Sequence, residues 1–209
     1  ALGALGGTAA QEALRERAAR GGEDRLVRLS ALHALAMLDA QVPARELVPL
    51  LDDPILRPAA LDLLGRSDGA ATPVLLKWLG SESRASRLAA VRSLLLRIAR
   101  SDDADAANLV AAIREQAPAL PAVDDAIGVL AGSDLAAQLV AVQFLGIVRE
   151  RRAVVPILRA ARDVALREVG LSTLQVLGPL AEAEIDAAWL ELDAPARGDA
   201  CRLFGRMRG

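Results

Sequence analysis

Tyrosine is absent from this chain and other rings are scarce: two Trp, two Phe and one His among 209 residues. A core so short of rings must be filled by aliphatic side chains. With 53% of residues hydrophobic, those are Leu, Val, Ile and Ala, the last the strongest intrinsic helix former. An all-α protein is expected. Cysteine occurs once, at Cys201, which excludes an internal disulfide and a zinc-binding cysteine cluster and fits a reducing compartment. No run of 18 uncharged apolar residues is present to span a membrane, and no basic-apolar leader opens the chain. A soluble cytoplasmic protein with no membrane partner is therefore expected.

Lysine is nearly missing too, with Lys77 standing against 24 arginines, a bias ascribed to the codon usage of a GC-rich bacterial genome. The net charge of -2 and pI near 5.6 lack the basic excess of a polyanion binder, so nucleic acid is not an expected partner. No glycine-rich phosphate loop appears. The nearest string, LGALGG at residues 2–7, lacks the preceding strand that a dinucleotide site requires. Neither a cofactor nor a small-molecule ligand is expected.

What the chain does have is a repeat. Six stretches align on Arg28, Arg57, Arg87, Gln138, Arg167 and Arg197. Three residues after each anchor stands a small residue: Ala31, Ala60, Ala90, Ala141, Gly170 and Ala200. Seven after stands a large apolar one: Leu35, Leu64, Leu94, Leu145, Leu174 and Phe204. The anchors are 29, 30, 51, 29 and 30 residues apart. A period of this length marks one supersecondary unit that is stable only when stacked on its neighbours.

Within DDPILRPAALDLLGRSDGAATPVLLKWLGSES, helical spacings of Leu61, Leu64, Leu75 and Leu79 are broken by Arg66, Ser67, Asp68 and Gly69, which reads as helix, short loop, helix. Pro54 and Pro73 are placed in first helical turns, with Asp53 and Thr72 as the N-caps. RERRAVVPILRAARDVALREVGLSTLQVLG repeats the grammar around Pro156. A proline-led second helix, an acidic or small linker, an Arg and then A-x-x-x-L together resemble HEAT-like repeats, specifically the short bacterial units of phycobilisome lyases. That resemblance implies a right-handed α-solenoid, an alpha-alpha superhelix of stacked helix-turn-helix units. It covers most of the chain, read as one array of about six to seven units over residues 1–209.

The long interval between Arg87 and Gln138 holds DDADAANLVAAIREQAPALP. There an extra helix near 101–121 is expected, with Leu109, Val110 and Ile113 on one face and Asp102, Asp103 and Asp105 at its start. Pro118 and Pro121 end it, and the ordinary second helix resumes near 122–131. Ala1, Leu2, Leu5 and Gly6 match late positions of a first helix, and Gly209 falls 12 residues after Arg197. The expectation is a piece of a longer protein.

Chemistry-bearing residues are few. His33 has no second His or Cys to share a metal and reads as an ordinary helix residue. Cys201 stands where other units carry Leu32, Leu61, Val91, Val142 and Leu171, so a packed thiol is expected. The pairs Asp52/Asp53, Asp102/Asp103 and Asp124/Asp125 fall at predicted helix boundaries and read as caps rather than acid-base groups. The anchor arginines read as structural, each paired with a carboxylate of its own or the adjacent unit, and Gln138 as a sign of altered stacking. No catalytic constellation emerges, and a non-catalytic protein is expected.

A protein partner is the remaining reading. The family resemblance places the second helices on a concave binding face, and with them Lys77 and Trp78, Arg159 and Arg162, and Trp189 and Glu191. Trp and Arg dominate interaction hot spots. Arg149, Arg151, Arg152, Arg159, Arg162 and Arg167 face only Glu150, Asp163 and Glu168, a local basic excess suited to an acidic partner. The candidate contact set is Lys77, Trp78, Arg151, Arg152, Arg159, Arg162 and Trp189. The lyase resemblance also implies bilin chemistry as one rival. A second rival is likeness to HEAT-like alkylpurine DNA glycosylases, which the eight acidic residues and two arginines between Asp102 and Glu150 oppose.

Overall fold

The computed structural model describes residues 7–208, the side chains of Pro118 and Arg208 excepted. The reading of residues 1–6 as the tail of a first helix therefore lies outside the described residues, as does most of LGALGG. All regular structure among the described residues is helical. The chain forms two compact units that divide between Leu109 and Val110.

The first unit contains α1 (Thr8–Ala19), α2 (Arg25–Met37), α3 (Ala44–Leu47, continued by a 3-10 turn over Val48–Asp52), α4 (Arg57–Leu64), α5 (Ala71–Trp78) and α6 (Arg84–Arg100). Next comes α7 (Asp103–Gln116), the extra helix, within which the division falls. The second unit goes on with α8 (Pro121–Val129), α9 (Leu135–Val148), α10 (Val154–Ala160), α11 (Val164–Leu177), α12 (Pro179–Ala188) and α13 (Ala194–Arg208). Each anchor lies on one of α2, α4, α6, α9, α11 and α13, the first helices of the repeats.

In the first unit α4 packs between α2 and α6, and α5 packs on α6. In the second, α11 packs between α9 and α13, while α8 meets α9 and α10 meets both α11 and α12. Each unit is thus a layer of first helices backed by a layer of second helices, the arrangement of an α-solenoid. The core runs between the layers. Leu32, Leu35, Leu61, Leu64, Leu75, Leu79 and Leu94 in one unit, and Leu145, Ile157, Leu158, Leu174 and Ile185 in the other, are fully sealed from solvent. At roughly 1.5–3 kcal/mol for each buried aliphatic side chain, this burial is what makes isolated units unstable and stacked ones stable.

All six small residues three after an anchor are buried, as are five of the six large ones. The exception is Phe204, which is half-exposed while its neighbour Leu203 is buried. The last unit therefore rotates its apolar contact by one residue. In α7, Leu109 and Ile113 are buried and Val110 is half-buried, and the Asp102 carboxylate accepts from the Asp105 amide at 2.9 Å, which starts the helix as expected. Pro121 opens α8 rather than closing α7. Among the described residues no helix is long and apolar enough to cross a membrane.

Candidate functional site

The anchors share one job: each donates to a backbone carbonyl. Arg28 Nε donates to the Ala18 carbonyl at 2.9 Å, and Arg57 Nε to the Leu51 carbonyl at 2.6 Å. Arg87 Nη1 reaches the Ser81 and Glu82 carbonyls at 2.6 and 2.9 Å. Arg167 Nη2 reaches the Arg162 carbonyl at 3.2 Å, and Arg197 Nε the Trp189 carbonyl at 3.1 Å. Every acceptor lies at or just past the end of the preceding second helix, where carbonyls lack an intrahelical partner. A guanidinium satisfies them and also suits the negative end of the helix dipole. Gln138 is no break in this scheme, since its Nε2 donates to the Leu130 and Gly132 carbonyls at 3.0 and 2.9 Å.

Four residues before each anchor stands an Asp or Ser that caps the first helix or, as Asp53 does before α4, closes the turn that leads into it, a regularity that the sequence reading missed. Asp24, Asp53, Ser83, Asp134, Asp163 and Asp193 each accept, through a side-chain oxygen, the backbone amide two or three residues ahead. The signal was present as Asp or Ser at constant offset from Arg or Gln. Asp and Ser are common in any helix-start or loop context, which masks the periodicity. Thr72 is not a cap: α5 begins at Ala71, and Thr72 Oγ1 instead accepts from Arg97 Nε at 3.2 Å.

Of the candidate contacts in the first unit, Lys77 is exposed and Trp78 half-buried. The Trp78 ring lies under the Arg57 guanidinium at 4.9 Å, so it braces the anchor of its own repeat. In the second unit, Trp189 is half-buried and lies 5.8 Å from the guanidinium of Arg197, the anchor of the next repeat. The two tryptophans thus serve different neighbours. Glu191 is exposed in the 3-10 turn Trp189–Glu191 that follows α12.

The basic cluster is largely neutralised by its own unit. Arg151 pairs with Glu184 at 2.8 Å, Arg152 pairs with both Glu150 and Asp124 at 3.0 Å, and Arg162 pairs with Asp193. The side-chain hydrogen bond from Arg152 holds the Glu150 carboxyl below the ordinary carboxylate range, against a smaller opposing effect of burial. Arg159, exposed on α10, has no such partner among the described residues. Among the described residues the structure therefore leaves Arg149 and Arg159 without a carboxylate where the sequence suggested a larger patch.

His33 is exposed on α2. Cys201 is exposed as well, which corrects the expectation of a packed thiol. The equivalent positions are buried in the five other copies. No group of His, Cys, Asp and Glu among the described residues is arranged to hold a metal ion. Asp102 opens α7 as its position suggested, whereas Asp53 closes the turn before α4, whose N-cap is Leu56, and Asp124 binds Arg152.

No family model matches the chain, and no curated protein does. Among solved structures, human deoxyhypusine hydroxylase in complex with glycerol aligns over 99% of this chain and 87% of its own, at 16% identity and a TM-score of 0.38. It is a distant structural neighbour, and at that score it gives this chain no activity. That neighbour is named as an enzyme, so the expectation of a non-catalytic protein does not stand.

Proposed function

We propose that the chain is a HEAT-like repeat array working as a protein-interaction module, with Trp189 and Leu190 as the centre of its binding surface and Arg159 on the neighbouring α10 as a further contact. The observation that carries this reading is Leu190. It is 89% exposed, yet its turn is fixed: Arg197 donates to the Trp189 and Leu190 carbonyls while its guanidinium covers the Trp189 ring. A large apolar side chain on a pre-ordered backbone binds with less entropic cost than one on a mobile loop. Trp and Arg beside it are the residue types that dominate interaction hot spots. The partner chemistry that suits this surface is a segment with an apolar side chain to cover Leu190 and a carboxylate to meet Arg159.

Quantitative co-purification with the wild-type chain and the Leu190→Ser, Arg159→Glu and Met37→Ser variants tests the proposal. Met37 is 88% exposed but lies in the first unit. A specific protein retained by wild type and Met37→Ser but lost from the other two is the expected outcome. Equal recovery by all four chains overturns the assignment of the surface.

A further inference from the structure

Beyond the ends of α2 and α4 and at the end of α6, two arginines share one carboxylate and a third stands close by. Arg66 Nε donates to Asp39 Oδ1 at 2.9 Å, and Arg100 Nη1 donates to both Asp39 oxygens at 2.8 Å. Arg97 uses Nε on Thr72 and Nη1 on the Ser67 carbonyl at 2.8 Å, while Arg66 Nη1 holds the Asp62 carbonyl at 3.1 Å. Among the described residues these bonds leave the Nη2 group of all three guanidiniums without an acceptor. The three arginines, with Gln41, Ser67 and Ser101, line a cavity of about 130 Å³, several times the ~30 Å³ of one bulk water.

Three guanidiniums gather here and only Asp39 among the carboxylates is hydrogen-bonded to them, which leaves the cavity positively charged. Burial lowers the Arg97 pKa, an effect that the more distant Asp68 and Asp105 only partly offset. The Ser67 and Ser101 hydroxyls already donate, to the Val42 and Arg97 carbonyls, so the side-chain donors left for a ligand include the three Nη2 groups, Arg100 Nε and the Gln41 amide. We infer that this cavity binds a small dianionic oxyanion of the phosphate class, held by Arg66, Arg97 and Arg100. A dianion offsets this positive charge more fully than a monoanion, and its tetrahedral oxygens meet three separate guanidiniums. A monocarboxylate does neither, and Asp39 already supplies that interaction from within. The site is independent of the proposed protein-binding surface, which lies in the other unit.

Titration calorimetry on the full chain, with inorganic phosphate as probe at constant ionic strength, tests the inference. Saturable binding is expected for phosphate and for sulfate, and none for acetate. Arg100→Gln is expected to weaken phosphate binding roughly tenfold or more, since a charge-assisted hydrogen bond is lost, with the helical circular dichroism unchanged. Asp39→Asn, which removes the competing carboxylate, is expected to tighten it. Phosphoserine then separates the sources: binding as tight as phosphate assigns the site to monoesters, and weaker binding assigns it to the free ion. The inference is overturned if neither wild type nor Asp39→Asn binds phosphate saturably, if acetate matches phosphate, or if Arg66→Gln and Arg100→Gln both keep wild-type affinity.

Discussion

Gly146 on α9 and Thr173 on α11 meet where no side chain fits between them: a Cβ on Gly146 would stand 2.5 Å from Thr173 Cγ2. The same relationship holds in the first unit, where a Cβ on Gly65 would come within 3.0 Å of the Ser93 backbone. In both units the glycine is eight residues after one anchor and its neighbour six after the next. The first helices are therefore brought together by a missing side chain at a fixed repeat position. Overpacking costs ~1–3 kcal/mol, against a helix-propensity gain of about 1 kcal/mol for Gly to Ala. Gly146→Ala is expected to lower stability by about 1 kcal/mol in urea unfolding, and Thr173→Ser, which removes Cγ2, is expected to restore it. Gly205→Ala, where nothing lies within 4 Å, is expected to stabilise. A Gly146→Ala chain as stable as wild type would refute the contact.

Gln138 gives a second test. It is 8% exposed and closes two helix-end carbonyls. Replacing it with Leu leaves those carbonyls unpaired, a loss of about 1–3 kcal/mol. Replacing it with Arg, the residue of the five other anchors, is expected to cost less than Leu does. Equal loss for both variants in thermal unfolding would mean that shape, not hydrogen bonding, is what the position requires.

Acid should act through two carboxylates. Hydrogen bonds from Arg100 and Arg66 hold Asp39 below the ordinary carboxylate range, and those from Arg152 do the same for Glu150. A lowered folded-state pKa gives stability that is complete above the unfolded value, near pH 4, and is lost as pH falls through the lower folded value. Between about pH 5 and pH 2 the melting temperature of wild type is expected to fall more steeply than that of an Asp39→Asn/Glu150→Gln chain. Because both pairs reach solvent, added salt should shrink the difference. Parallel curves would show that these pairs do not stabilise the fold.

Cys201 should react as an exposed thiol. Titration of the native chain with a thiol reagent is expected to modify one group without denaturant, with the helical signal retained. Protection until unfolding would restore the packed reading that the sequence suggested.

The repeat was readable because it is written in residue types that have few other uses. Small and large apolar residues at helical spacing leave burial as the only economical explanation, and Ala31, Ala60, Leu35 and Leu64 are buried accordingly. The role of the anchors was not readable. Arginine can bind a carboxylate or a carbonyl, and a backbone carbonyl leaves no letter in the sequence. For the same reason Gln138 looked like a substitution when it is an equivalent donor.

The sequence by itself determined the helical class, the first-helix positions and the extra helix between Arg87 and Gln138, since all of these follow from local propensity and period. Only the tertiary structure decided which charges are free. Glu184 and Asp124 are separated from Arg151 and Arg152 by about thirty residues but lie within salt-bridge distance of them, and this pairing takes both arginines out of an apparent basic patch. The convergence of Arg66, Arg97 and Arg100 with Asp39 likewise exists only once successive helices stack. Coulomb interactions depend on distance through space, and one dimension of sequence does not contain it.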